Sequence, residues 1–123
     1  MKKELINLLK NSYAPFSNVK VASIVIDTKG NKWLGTNVEP INLSSICAER
    51  NAIFTAIANG EKQIKEVNLI SSLDKIYPCG ACLQIISEFI IDKGLIKIFN
   101  LKNDEIKIFE IDDLLPYSIK GLI

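Results

Sequence analysis

The sequence contains no histidine, and this absence excludes more chemistry than any other feature of its composition. Its 123 residues include three cysteines, one tryptophan and one methionine. Without an imidazole, no Ser–His or Cys–His catalytic arrangement can form. Three cysteines cannot all pair with one another, so a closed disulfide scaffold is excluded as well. The three cysteines therefore need another explanation.

Net charge and long apolar runs are also missing. The 15 basic and 14 acidic residues leave a formal charge of +1 at pH 7, which argues against electrostatic binding to a polynucleotide or a membrane surface. No segment approaches the roughly 18 apolar residues needed to cross a bilayer. Glu4 and Asn7 interrupt the apolar residues at the N-terminus, which is unlike a signal peptide. We therefore expect a cytoplasmic protein without a membrane or polynucleotide partner.

Apolar periodicity and turn residues predict helices interleaved with strands. No break in composition divides the chain, so we expect a single domain over residues 1–123. Helices are predicted at residues 2–11, 47–59, 79–93 and 112–115, and strands at residues 19–27, 32–38, 67–71, 95–101 and 106–111. Gly60 and Gly94 predict the ends of the two long helices. This order predicts an α/β fold, a three-layer α/β/α sandwich around a mixed five-stranded sheet.

Side-chain spacing predicts which faces of two helices are buried. The first helix places Leu5, Leu8 and Leu9 on one side at helical spacing. The second carries apolar residues at similar spacing, namely Ile53, Phe54, Ile57 and Ala58. Both helices are therefore expected to pack on the sheet through these side chains.

The three cysteines lie at the predicted N-termini of the two long helices. Cys47 begins one helix in the string CAER, and Cys79 and Cys82 begin the other in the string PCGAC. Free N–H groups and the positive end of the helix dipole favour thiolates, which are the form that binds metals. Three thiolates around Zn²⁺ leave one tetrahedral position open, as in catalytic zinc sites. A carboxylate or a second chain remains an alternative source of a fourth ligand.

Two charged residues follow the first cysteine. Glu49 is placed to move protons beside the metal. Arg50 lies three residues after Cys47, on the same helical face, where its guanidinium can hydrogen-bond to sulfur and offset the negative charge. The plainer interpretation of Glu49 is a surface carboxylate that suits a helix N-terminus.

Other interpretations of the single motifs are a Cys-x-x-Cys redox pair or half of a structural zinc site. The joint pattern is more specific. It combines Cys-x-Glu at one helix start with Pro-Cys-x-x-Cys at another, and so matches the zinc-deaminase signature with cysteine in place of the usual histidine. We therefore favour a catalytic zinc.

With these motifs, the chain resembles cytidine deaminases of the small, all-cysteine, homotetrameric type. The resemblance extends from residue 12 to residue 116 and includes an Asn-x-Glu at 37–39. It implies that Cys47, Cys79 and Cys82 hold Zn²⁺, that Glu49 shuttles protons and that Arg50 neutralises thiolate charge. It further implies that the Ala48 N–H binds the pyrimidine carbonyl, and that Asn37 and Glu39 bind the ribose hydroxyls.

The activity implied by the resemblance is hydrolytic deamination of cytidine and deoxycytidine to uridine and deoxyuridine, with release of ammonia, in pyrimidine salvage. The implied assembly is a homotetramer with shared active sites. Two alternatives remain at this point: a deaminase of another aminopyrimidine nucleoside, such as a blasticidin-type antibiotic, and a non-catalytic module stabilised by zinc.

Three positions depart from the family's pattern. Val19 stands where a phenylalanine commonly stacks on the base, and Leu83 replaces a frequent arginine. Ile119 stands where a C-terminal aromatic residue is donated by a neighbouring subunit. Base stacking is an important part of base affinity, so these departures are expected to weaken it unless another ring compensates; ordinary packing is the alternative role of each candidate ring. The candidates considered are Tyr13, Phe16 and Tyr117.

Overall fold

The computed structural model describes residues 1–74 and 76–119, and the order of helices and strands there is the predicted one. The elements are α1 (Lys2–Leu9), β1 (Val21–Asp27), β2 (Lys32–Thr36), α2 (Ala48–Ala58), β3 (Ile64–Ser71), α3 (Gly80–Phe89), β4 (Ile90–Phe99), β5 (Ile106–Phe109) and α4 (Ile111–Leu114). In these two ranges, no helix has both the length and the apolar character that a membrane span requires.

The five strands form one mixed sheet in the order β2-β1-β3-β4-β5. β1 pairs antiparallel with β2 and with β3, and β4 pairs antiparallel with β5. β3 and β4 are parallel, and α3 is the crossover that parallel neighbours require. The predicted β1–β2 hairpin is confirmed, and Gly30 in its turn has the positive φ of 88° that glycine tolerates.

Helices cover both faces of the sheet, because alternate residues of each strand point to opposite sides. On one face, Leu5 and Leu9 of α1 pack with Ala22 and Ile24 of β1. The other face carries α2 and α3, and its core cluster consists of Val25, Ala52, Ile53, Ala56, Ile64, Val67, Ile86 and Ile96. The three-layer α/β/α sandwich is therefore confirmed.

The first turns of α2 lie directly against the backbone of β2. A Cβ on Gly35 would lie 2.4 Å from the Ala52 nitrogen and 2.5 Å from the Ala48 oxygen. Such a close approach is possible only because Gly35 has no side chain and the helix presents alanines at this contact. The glycine therefore sets the distance between the N-terminal half of α2 and the sheet.

The predicted buried face of α2 is partly wrong. Ile53 is fully buried and Ile57 packs against the core, but Phe54 is 42% exposed and Ala58 is exposed. The small residues Ala52 and Ala56 take the central positions instead. The spacing predicted that large apolar side chains are buried, whereas the close contact with β2 accommodates only small ones.

The predicted end of the third helix, at Lys93 and Gly94, is also wrong. α3 ends at Phe89, and the chain enters β4 at Ile90, which pairs with Ile64 before the register shifts. Lys93 has a positive φ of 61° in this irregular stretch. A Cβ on Gly94 would lie 2.5 Å from Ile90 Cγ1, so this glycine serves a tight bend within the strand.

Gly60, in contrast, ends α2 as predicted. Its φ is 90°, its N–H donates to Ile57 O, and the Glu61 N–H donates to Ala56 O. These two hydrogen bonds form a Schellman motif, which turns the chain from α2 towards β3.

Candidate metal and substrate site

Two of the three cysteines are the N-cap residues of the long helices. Cys47 precedes α2 and Cys79 precedes α3, both with extended backbone, and neither side chain caps its helix. Cys82 is fully buried in the first turn of α3. The three Sγ atoms lie within 4.8 Å of one another, and those of Cys47 and Cys79 are 3.7 Å apart. The predicted cluster is therefore present.

The donor set of this cluster fits zinc. Thiolates bound tetrahedrally at the usual Zn–S length of about 2.3 Å lie about 3.8 Å apart, close to the distance between Cys47 Sγ and Cys79 Sγ. The sulfur atoms are the soft donors that zinc accepts. Within residues 1–74 and 76–119, the group has three members and no fourth protein ligand. The three cysteines can thus hold a zinc ion and leave a position open.

The site favours ionisation of Cys47. A hydrogen bond with Cys82 is the largest contribution, and together with those from Arg50 and Cys79 it lowers the pKa of the Cys47 thiol to about 5, although burial opposes the change. The same interaction with Cys47, followed by burial, raises the pKa of the Cys82 thiol. Of these two thiols, Cys47 is therefore the one that ionises more readily.

Arg50 is the cation of the site, and it is the only arginine among the 15 basic residues of the chain. Its Nη2 donates to Cys47 Sγ over 3.5 Å. This hydrogen bond is the main reason that the pKa of Arg50 is raised, and a second bond to Cys82 acts in the same direction. Arg50 therefore contacts the thiols as predicted.

Glu49 lies at the wall of a cavity of about 210 Å³. Its side chain is 4% exposed. Burial is the main cause that raises the pKa of Glu49, and the charge of Cys47 adds to it. The cavity is lined by Ser17, Val19, Val21, Asn37, Glu39, Ser45, Ile46, Cys47, Ala48, Glu49, Leu69, Ile76, Tyr77 and Cys79. The surface interpretation of Glu49 is thus wrong.

Asn37 lines the cavity, but its side chain also holds the loop that precedes β1. Its Oδ1 accepts hydrogen bonds from Ser12 Oγ and from the Val21 N–H, the latter at 2.9 Å. Its Nδ2 donates to Val19 O over 2.7 Å. An amide has two N–H donors, so one of them is not used by these bonds.

Glu39 is fixed in a similar way. Its Oε1 accepts from the backbone N–H groups of Phe16 and Ser17 at 3.1 and 2.9 Å, and its Oε2 accepts from Ser17 Oγ. The bonds from Ser17 are the main cause that lowers the pKa of Glu39. The carboxylate is therefore ionised and anchors the loop to the wall of the cavity.

The three rings considered as replacements do not line the cavity. In the described part of the chain, Tyr77 is the aromatic residue that does. Sequence reasoning missed it, because its side-chain contacts are with β5, which lies about 30 residues farther along the chain. Val19 lies in the wall as expected, and Leu83 is buried in α3.

Ile119 lies away from its own chain's cavity. Gln84 of α3 holds its backbone with two hydrogen bonds, of 2.9 Å to Ile119 O and 3.2 Å from the Ile119 N–H. The Ile119 side chain is 60% exposed. The backbone of Ile119 is thus held against α3, while its apolar side chain is largely exposed.

Known proteins are similar to this chain in sequence and in fold. The family model described as the cytidine and deoxycytidylate deaminase zinc-binding region matches residues 1–97. Cytidine deaminase from Mycoplasma genitalium is 36% identical over 122 residues, which are 96% of this chain and 92% of that protein. Cytidine deaminase from Halalkalibacterium halodurans is 28% identical over 116 residues, covering 93% and 87%.

Solved structures agree. The crystal structure of cytidine deaminase from Burkholderia pseudomallei superposes with a TM-score of 0.79 and 30% identity, over 97% of this chain and 99% of that one. A mutant cytidine deaminase from Mycobacterium tuberculosis has a TM-score of 0.82 at 21% identity, over 99% and 93%, and supports the fold. With the zinc-binding match over most of its length and a thiol cluster at the expected helix ends, the chain belongs to the cytidine and deoxycytidylate deaminase family.

Proposed function

We propose that the protein deaminates cytidine and deoxycytidine hydrolytically, giving uridine and deoxyuridine plus ammonia. The observation that carries this proposal is the buried carboxyl of Glu49 in the wall of the cavity that Cys47 and Cys79 also line. A zinc ion that only stabilised a fold would need no proton-transfer group beside it. Relatives named cytidine deaminase support the choice of substrate.

Cys47, Cys79 and Cys82 would hold the zinc ion. When bound, zinc supplies Lewis acidity and lowers the pKa of water to about 7. Three thiolates outweigh the charge of Zn²⁺, and Arg50 offsets the excess through its hydrogen bond to Cys47 Sγ. This keeps the metal electrophilic, because the sulfur atoms share their charge with the guanidinium.

Glu49 would carry the protons of the reaction. It accepts a proton from the attacking water and delivers it to N3 of the pyrimidine, which makes C4 more electrophilic. It then takes the remaining proton from the hydroxyl added at C4 and transfers it to the 4-amino group, so that the C4–N bond breaks, the C4 carbonyl forms and nitrogen leaves as ammonia. A carboxyl that is 4% exposed exchanges protons with the substrate rather than with bulk water, and one group can serve both steps.

The remaining wall would position the substrate. Ala48 is the first residue of α2, where backbone N–H groups have no partner within the helix, and its N–H would bind the 2-carbonyl. The unused N–H of Asn37 and the carboxylate of Glu39 would bind the ribose hydroxyls. Because both side chains also hold the loop at residues 12–19, sugar binding and loop position would be coupled.

We further propose a cytoplasmic homotetramer with shared sites, acting on free nucleosides. Exposed apolar side chains support an assembly: Phe54 on α2 is 42% exposed, and Ile119, held by Gln84, is 60% exposed. Both are available to a second copy of the chain. Light scattering should give four times the monomer mass, and a monomeric mass would contradict this assembly.

The test of the activity combines metal analysis with a spectroscopic assay. Purified protein should contain one zinc per chain, and adding cytidine should produce the absorbance decrease that accompanies conversion to uridine. Cys82→Ser should lose both zinc and turnover. A substrate panel should include a blasticidin-type nucleoside because Val19 lines the cavity. Zinc-loaded wild-type protein that leaves cytidine and deoxycytidine unchanged would contradict the proposal.

A further inference from the structure

Tyr77 presents an aromatic ring to the cavity at the point where the metal-binding motif begins. It is two residues from Cys79 and lines the same cavity as Glu49 and Ala48. Its side chain is 44% exposed, so a substantial part of the ring is not covered by the protein. A half-covered ring in the wall of the cavity that Glu49 also lines offers a flat apolar surface to a ligand.

Two residues of β5 fix the position of this ring. Phe109 forms an edge-to-face pair with it, with ring centroids 5.9 Å apart and an interplanar angle of 61°. Lys107 Nζ donates to the Tyr77 hydroxyl over 3.0 Å and lies farther, 5.5 Å, from the ring centre. The ammonium therefore anchors the hydroxyl end of the side chain. A ring held at its hydroxyl and against a second ring loses little further freedom when a ligand packs on it.

Resting on the proposed function, we propose that Tyr77 is the surface on which the pyrimidine base packs, and that Lys107 and Phe109 are its positioning residues. The other apolar side chains of the wall are aliphatic, among them Val19, Val21 and Leu69. They can exclude water but cannot stack. Because an aromatic ring prefers a planar π-system to a puckered ring, Tyr77 makes the site selective for unsaturated bases.

The test measures this selectivity through inhibition, which is independent of the catalytic step. Uridine and 5,6-dihydrouridine carry the same polar groups, but dihydrouridine lacks the planar aromatic ring. For the wild type, uridine should be the stronger competitive inhibitor of cytidine deamination. Tyr77→Leu should raise the inhibition constant of uridine at least about fivefold and leave that of dihydrouridine nearly unchanged. KM for cytidine should rise in the same variant, with kcat less affected.

Further variants separate stacking from folding. Tyr77→Phe and Lys107→Met both keep an aromatic ring at residue 77 but remove the hydrogen bond to its hydroxyl, so both should retain the preference for uridine in a partly weakened form. Leu73→Ala is the control, because Leu73 is 50% exposed on the same segment and does not line the cavity. Zinc content checks that each variant keeps its site.

The outcomes distinguish this proposal from the proposed function. If the wild type deaminates cytidine but Tyr77→Leu discriminates uridine from dihydrouridine as well as the wild type does, the role of Tyr77 is wrong and the activity stands. If the zinc-loaded wild type does not deaminate cytidine, the proposed function fails first. Equal loss of affinity for both inhibitors would assign Tyr77 a merely structural role and would also overturn the proposal.

Discussion

Arg50 Nη2 lies 3.5 Å from Cys47 Sγ. Cys47 is the N-cap residue of α2, and Arg50 lies about one helical turn after it. The only arginine of the chain thus contacts a thiol whose pKa the site lowers. Its planar guanidinium presents several N–H donors in a rigid arrangement, whereas a lysine presents a compact ammonium on a flexible stem.

Arg50→Ala should weaken zinc retention about 10- to 100-fold, because it removes a group that orients and neutralises a metal ligand. Competition with a chromogenic chelator measures the change. Arg50→Lys is the matched control. It keeps the positive charge but lacks the planar guanidinium, so it should retain only part of the zinc affinity. Unchanged zinc retention and unchanged turnover in the alanine variant would contradict the assigned role.

Glu49→Gln should keep zinc and lose turnover of cytidine by about 10²- to 10⁴-fold, because the amide cannot move a proton. The absorbance assay measures turnover and metal analysis measures zinc. Glu66→Gln is the control, since Glu66 pairs with Lys97 over 2.8 Å on the sheet and does not line the cavity. Retained activity in Glu49→Gln would refute the proton shuttle.

Gly35→Ala should lower the free energy of unfolding by about 1–3 kcal/mol, since the added methyl group meets backbone atoms of Ala48 and Ala52 rather than flexible side chains. It should also reduce zinc affinity, because Ala48 directly follows Cys47. Urea unfolding measures the stability. Gly80→Ala is the matched control, as nothing lies within 4 Å of its added Cβ. Equal stabilities of the two variants would show that α2 adapts freely.

Asp27 should make folding stability depend on acid pH. Burial alone would raise its pKa, but hydrogen bonds from Trp33, Asn31 and Lys29 lower the pKa from 3.8 to about 2. Since the pKa is depressed in the folded state, the stabilisation is fully present above about pH 5 and is lost as the pH falls through 3.8 towards 2.

Urea unfolding at several pH values tests this for the wild type and for Asp27→Asn. The stability difference between them should be constant above about pH 5 and should shrink below pH 3.8. Asp104→Asn, in the exposed turn before β5, makes the same chemical change without removing these hydrogen bonds. A stability difference that stays constant down to pH 2 would exclude the linkage.

Local patterns predicted most of the fold and the metal cluster. Leu5 and Leu9 lie on the expected face, Gly60 ends α2, and the cysteines begin the two long helices. These features depend on residues near one another in sequence. The spacing that identifies the metal ligands is visible within the short Cys-x-Glu and Pro-Cys-x-x-Cys strings. The thiol cluster could therefore be predicted before the sheet topology was known.

Features that depend on distant contacts could not be predicted. The end of α3 at Phe89 follows from the pairing of Ile90 with Ile64, which competes with the helical pattern. Phe54 is exposed because Gly35 brings α2 close to β2 and selects alanines there. Tyr77 reaches the cavity wall through its contacts with β5, and these are absent from the local string.

The separation of the metal ligands in sequence has a thermodynamic consequence. Cys47 and Cys79 are 32 positions apart, at the starts of the helices that precede and follow β3 in the sequence. A zinc ion bound to both closes this length of chain into a loop and is bound by the folded state alone, so its binding free energy adds to that of folding. The unfolding midpoint should therefore rise with the logarithm of the free zinc concentration. Thermal stability then reports how much of the protein has zinc bound at this site.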